Sequence, residues 1–203
     1  MDGNHVEEDS IGRVRLALAS ASPRRADLLR AAGIEFDVIP ADVDESRRPD
    51  EWPDAYVARL AEAKAAAVLD RAAGRPVLAA DTVVVCGTDI LGKPSDASEA
   101  KRMLELLSGR THLVLTGVCL IAPHDASRQT DVASTAVEFA QLTDEEISWY
   151  VASGEPEDKA GAYAIQGLAS RFVTAISGSY TNVAGLPVAL VYNLCKNAGI
   201  LIS

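Results

Sequence analysis

Residues 13–19 alternate basic and apolar side chains and then turn wholly apolar, which suits a strand entering a core. The chain then runs through Ser20-Ala21-Ser22-Pro23-Arg24-Arg25 into Ala26-Asp27-Leu28-Leu29-Arg30-Ala31-Ala32-Gly33. Ser22 has the chemistry of an N-cap, Pro23 fits the first helical position and Gly33 the position past the end, so the pattern predicts strand, tight turn and short helix. Residues 34–40 read as a second strand, followed by an acidic loop over 42–53. Residues 54–73 are Ala-rich with no internal Gly or Pro and predict a helix, its inward stripe running through Tyr56, Leu60, Lys64, Ala67 and Val68. A β-branched run over 76–86 is interrupted by Asp81-Thr82, and a turn at Gly87-Thr88-Asp89 leads to a short strand at Ile90-Leu91.

Asp96-Ala97-Ser98-Glu99 is a capping box for a helix that reaches Leu107 and stops at Gly109. Residues 111–122 and 130–140 form a pair of long antiparallel strands. A short helix opens at Thr143 and ends near Gly154; a polar, glycine-containing loop, a strand over 171–177 and a C-terminal helix over 186–198 complete the pattern. Alternating strand–helix units together with a hairpin imply a mixed sheet in an α/β fold.

At 203 residues the length suits one domain, here 13–203, preceded by a disordered acidic tail over 1–12. The net charge is −10, so nucleic acid is not expected as a partner, and any anionic ligand needs cations concentrated locally. No apolar run is long enough to span a bilayer, and the N-terminal residues lack the pattern of a secretory signal. Cys86, Cys119 and Cys195 are scattered, as for reduced core thiols in a cytoplasmic protein.

Such a cluster of cations is present. Ser20, Ser22, Arg24 and Arg25 lie at a strand-to-helix turn, where free amides and guanidiniums together can hold phosphate. Asp81 in an apolar run needs a cleft, a cation or a metal beside it, and could bind Mg²⁺ or deprotonate a water. Lys64 falls on the inward face of its helix, either snorkelling from the core edge or serving a site. Gly87–Lys93 meets the GxxxxGK spacing, but Pro94 stands where a P-loop requires Ser or Thr, which excludes that motif and leaves Lys93 as a phosphate ligand. Asp42-x-Asp44-Glu45 is either a solvated loop or a metal contact. Residues 154–167 are dense in small and charged types, as in an ordered functional loop, and Gln166 offers the donor and acceptor that match the imide edge of uracil or thymine. His5, His112 and His124 lack metal-ligand spacing.

Together these motifs resemble the Maf family of nucleoside triphosphate pyrophosphatases. The matching residues are Ser20-x-Ser22-Pro23-Arg24-Arg25, Asp44-Glu45, Lys64, Ala80-Asp81-Thr82, Gly92-Lys93-Pro94, Leu107-Ser108-Gly109, the stretch 154–167, Gly178-Ser179-Tyr180 and Val183-x-Gly185-Leu186-Pro187. The resemblance implies a strongly twisted mixed β-sheet flanked by helices, in two lobes around a nucleotide-binding cleft, as in inosine triphosphate pyrophosphatases. It implies hydrolysis of a nucleoside triphosphate to monophosphate and pyrophosphate with Mg²⁺ or Mn²⁺, and it allows a homodimer. Ala-Tyr-Ala-Ile-Gln-Gly looks like the branch acting on dTTP and UTP. In that resemblance Asp81 matches the catalytic acid, Glu45 and Asp81 would hold the metal, and Arg24, Thr82 and Gln166 match specificity positions. Ser20, Arg25, Lys64 and Lys93 match other active-site positions. The same family implies an alternative, a nucleotide-sensing inhibitor of septum formation that needs no catalysis.

Overall fold

The structure, a computed structural model, describes residues 14–123 and 127–200. The acidic tail expected over 1–12, with His5, and His124 lie outside the described residues. Seven strands form one mixed sheet, β1 (Leu16–Leu18), β2 (Phe36–Val38), β3 (Val77–Cys86), β4 (Asp89–Leu91), β5 (Thr111–Ile121), β6 (Arg128–Phe139) and β7 (Val173–Ser177). Their order is β2-β1-β3-β5-β6-β7, with β4 beside β3. β1 is parallel to β2 and β3; the remaining pairs are antiparallel.

The helices are α1 (Pro23–Ala31), α2 (Pro53–Val68), α3 (Ala97–Leu107), α4 (Asp144–Ala152), α5 (Tyr180–Val183) and α6 (Val188–Asn197). Side chains alternate along β3, so its two faces serve two cores. Val77 and Ala79 pack with Ala61, Ala65 and Val68 of α2. Leu78, Ala80 and Val84 face the larger core, which takes Leu29 from α1, Leu104 and Leu107 from α3, Tyr150 from α4 and Val191 from α6. The same alternation turns Asp81 toward α2 and Thr82 toward α1.

Several details correct the sequence reading. The buried stripe of α2 is Val57, Leu60, Ala61, Lys64, Ala65 and Val68, with Tyr56 half-buried and Ala67 exposed. A helix so rich in alanine carries little contrast between its faces, and the phase was fixed by its docking on the sheet. α2 also stops at Val68, where the chain tightens into a 3₁₀ turn (Leu69–Ala72) that ends on Ala73 with φ of 52°. Ser22 occupies the N-cap position of α1 but makes no side-chain cap bond. The loop after α4 contains 3₁₀ turns at Glu155–Asp158, Ala160–Ala162 and Leu168–Phe172. α5 lies before the expected C-terminal helix as an additional element, and that helix, α6, begins at Val188, with Pro187 at its N-cap, rather than at Leu186. Asp81-Thr82 does not interrupt β3: Asp81 pairs with Gly117 and Thr82 with Thr116 in unbroken register. Cys86, Cys119 and Cys195 are free and buried. Among the described residues no helix is long and apolar enough to cross a membrane.

Candidate active site

The sheet has a gap on one side of β3. β1 pairs only with Val77 and Leu78, while β4 pairs with Val84, Val85 and Cys86. Between them the edge of β3 around Asp81 opens onto a cleft of about 540 Å³. The β1–α1 turn, α2 with the loop before it, the turn after β4, the segment that follows α4 and residues 183–185 form its walls. Ser20, Ser22, Arg24, Arg25, Glu45, Lys64, Asp81, Thr82, Lys93 and Gln166 line this cleft, whereas Asp42 and Asp44 of the same acidic cluster do not.

The acidic centre is built around one ammonium. Lys64 Nζ lies 2.6 Å from Asp81 Oδ1 and 2.7 Å from Glu45 Oε1. Lys64 and Asp81 are 9% and 8% exposed, whereas the Glu45 side chain reaches in from the solvent edge. Tyr56 donates its hydroxyl to the Glu45 carbonyl at 2.7 Å and so fixes the loop that brings Glu45 to the lysine. Burial raises the Asp81 carboxyl above its ordinary range, and the nearby charges of Lys64 and Arg25 pull it back. Burial also raises the Tyr56 phenol, with Asp81 and Glu45 adding to the shift.

Arg25 serves the protein rather than open space. Its Nε donates to Gly185 O at 2.9 Å, and its terminal nitrogens donate to Ala80 O at 2.6 Å, Thr82 Oγ1 at 3.1 Å and Ser20 Oγ at 3.3 Å. Four of the five N–H groups of a guanidinium are thereby engaged. Ala80 pairs with Val118 of β5 on one side but has no strand on the other, between β1 and β4, so Arg25 supplies a donor that the sheet does not. Burial lowers its pKa while the Asp81 charge raises it. The spacing alone placed Arg24 and Arg25 in one phosphate cradle, but Arg25 braces the floor and Arg24 stands at the mouth. Arg24 donates to Asp158 Oδ2 at 3.3 Å and to Asp158 O at 3.2 Å, joining α1 to the loop beyond α4. Ser20 Oγ also accepts from Ser22 N at 3.2 Å, and Thr82 Oγ1 shares a hydrogen bond with Thr116 Oγ1 at 2.9 Å.

Lys93 and Gln166 are exposed toward the cleft. The two segments that carry them are tied by Gly161 N, which donates to Gly92 O at 2.9 Å. Three cleft residues escaped individual notice in the sequence, Tyr56 as a site group, Asp158 and Lys159. The last two form an ion pair with each other. The density of charge in 154–167 was their signal, but it could not say which of several acids and lysines turns inward.

A Maf-like protein family model matches residues 15–198. A dTTP/UTP pyrophosphatase of Anaeromyxobacter dehalogenans is 54% identical, over 91% of this chain and 94% of its own. Proteins of the same name from Myxococcus xanthus and Syntrophus aciditrophicus are 51% and 49% identical, with 91% and 92% of this chain covered and 93% and 91% of theirs. The fold alone is shared with the Staphylococcus aureus Ham1 protein, with a TM-score of 0.53 at 14% identity over 90% of this chain and 98% of that one. A family match across nearly the whole chain agrees with the motifs that meet in the cleft: the chain belongs to the Maf-like protein family.

Proposed function

We propose that the cleft hydrolyses dTTP and UTP at the bond between the α and β phosphates, giving the nucleoside monophosphate and pyrophosphate. The observation that carries this reading is the buried Asp81 carboxylate beside Lys64, in a cleft that gathers Arg24, Lys93 and Lys159 inside an acidic chain. Relatives about half identical that bear the name dTTP/UTP pyrophosphatase support it. They also favour catalysis over the purely regulatory alternative.

Water is the nucleophile. Asp81 accepts its proton as the oxygen bonds to the α phosphorus, and the bridging oxygen leaves with the β phosphate as pyrophosphate. Burial raises the Asp81 carboxyl and so strengthens it as a base, while the charges of Lys64 and Arg25 oppose that rise. Arg24, Lys93 and Lys159, with the amides at the start of α1, hold the triphosphate and offset the charge that develops on the leaving group. Arg25 keeps Ser20 and Thr82 in place around that position. Gln166 reads the pyrimidine imide, accepting from its N–H and donating to its carbonyl.

Mg²⁺ or Mn²⁺ fits these residues. Glu45 and Asp81 present hard oxygen donors that already converge on one cation, the Lys64 ammonium. Two carboxylates together with substrate phosphates are an ordinary donor set for Mg²⁺. Bound there, the metal would neutralise phosphate charge and polarise the attacked phosphorus. A reducing, cytoplasmic setting belongs to the same proposal, supported by three free buried cysteines.

Product analysis tests the reading. Purified protein incubated with UTP and Mg²⁺ is expected to release UMP and pyrophosphate, and Asp81→Asn to lower turnover by about 10²–10⁴-fold while staying folded. Release of UDP and orthophosphate, or near-normal turnover in Asp81→Asn, would overturn it.

A further inference from the structure

We propose that Tyr150 and Glu155 form a clamp that positions Gln166 and thereby sets base selection in the cleft. The inference rests on the reading of Gln166 as the base-contacting group. Gln166 is the third residue of a turn closed by Gly167 N, which donates to Ala164 O at 3.2 Å. Both ends of that turn are fastened to one pair of side chains. Before Gln166, Ala164 N donates to Tyr150 Oη at 3.2 Å. After it, Leu168 N donates to Glu155 Oε2 at 3.0 Å and Ala169 N to Glu155 Oε1 at 3.4 Å. The two halves are joined by Tyr150, whose hydroxyl donates to Glu155 Oε1 at 2.8 Å.

The fit between clamp and turn is close. A Cβ on Gly167 would sit 2.2 Å from Glu155 Oε2. Gly167 has φ of −136°, so a Cβ there would meet the Glu155 carboxylate rather than strain the backbone. Tyr150 is fully buried and its ring stacks edge-on against Phe172 at 5.5 Å, so the clamp is anchored in the larger core. Burial and the Glu155 carboxylate raise the phenol's pKa and keep it a donor. A single amide can read an imide edge only if its backbone is held, because ordering a mobile turn on binding would cost affinity. Neither Tyr150 nor Glu155 lines the cleft, so both are positioning residues.

The test compares full-length wild type, Tyr150→Phe, Glu155→Gln and Gln166→Ala in steady-state kinetics with UTP, CTP and ATP in Mg²⁺. Amide hydrogen exchange of residues 164–169 is followed alongside. Both clamp variants are expected to raise KM for UTP about tenfold, the worth of one hydrogen bond, with kcat held within about twofold. Their preference for UTP should fall toward that of Gln166→Ala, with exchange faster in 164–169 and unchanged in β3 and β5. Retained preference in both variants overturns the clamp, as does an equal loss on all three nucleotides. If Gln166→Ala itself keeps the preference, the base reading of Gln166 fails. If Gln166→Ala loses it while both clamp variants keep it, that reading stands and the clamp fails. Should Tyr150→Phe not fold, Glu155→Gln decides alone.

Discussion

Gly117 lies so close to the backbone of Val57 that a Cβ at this position would stand 2.3 Å from the Val57 carbonyl oxygen. Gly117 is also the residue paired with Asp81 across β3 and β5. The bare backbone at Gly117 therefore lets the N-terminal half of α2 settle onto the sheet, and seven residues further along that helix Lys64 reaches Asp81.

Gly117→Ala is accordingly expected to push α2 outward. Overpacking of this kind costs about 1–3 kcal/mol. Urea unfolding should show that loss, and turnover of UTP should fall with it although no cleft residue has changed. A variant with unaltered stability and turnover would contradict the packing argument.

Arg25→Lys keeps the charge and removes the fork. Lysine cannot donate at once to Gly185 O, Ala80 O, Thr82 Oγ1 and Ser20 Oγ, so buried acceptors lose their partners. The expected cost is roughly 2–3 kcal/mol in stability. Thermal melting of this variant beside Arg24→Lys separates the two arginines, because Arg24 makes only partly exposed contacts with Asp158 and its replacement should leave the melt nearly unchanged.

His112 gives stability a pH dependence. It is 1% exposed, its Nε2 is paired with Tyr163 Oη at 2.8 Å, and its ring packs edge-on against Phe139. Burial pushes its pKa down to about 4. In the unfolded chain the same group titrates near 6.5. Between these values the unfolded state takes up a proton that the native state refuses, so stability is present above about pH 6.5 and is lost as the pH falls toward 4. The loss from neutral pH to pH 5 should be about 2 kcal/mol. His112→Gln should lack this component, and the difference between the two denaturation series over that interval isolates it from the carboxylates.

Much of the site could be read along the chain because its chemistry is locally anomalous. Asp81 stands in an apolar run, two arginines follow a helix cap, and Lys64 breaks an alanine-rich stripe. Each is costly unless something answers it, which is why each could be singled out. What the local pattern lacked was the partner. Arg24 and Arg25 are adjacent and alike in sequence, yet a rotation of about 100° between successive helix positions sends one to the mouth and the other into the floor. The clamp residues Tyr150 and Glu155 gave no such signal, since a tyrosine in a helix and a glutamate in a charged loop are ordinary.

Apart from α5 and the 3₁₀ turns, the sequence alone determined the element types, the mixed α/β class, the family and the identity of the groups that gather charge, because periodicity, turn chemistry and misplaced polar residues are local properties. The tertiary structure decided which groups meet. Gly117 sets the height of α2 and so the contact of Lys64 with Asp81, while the gap beside β3 creates both the cleft and the need for Arg25. The turn at 164–167 is held by side chains that precede it in the chain. These are contacts between segments distant along the chain or held across a turn, and a linear pattern of residue types carries no record of the distances that make them.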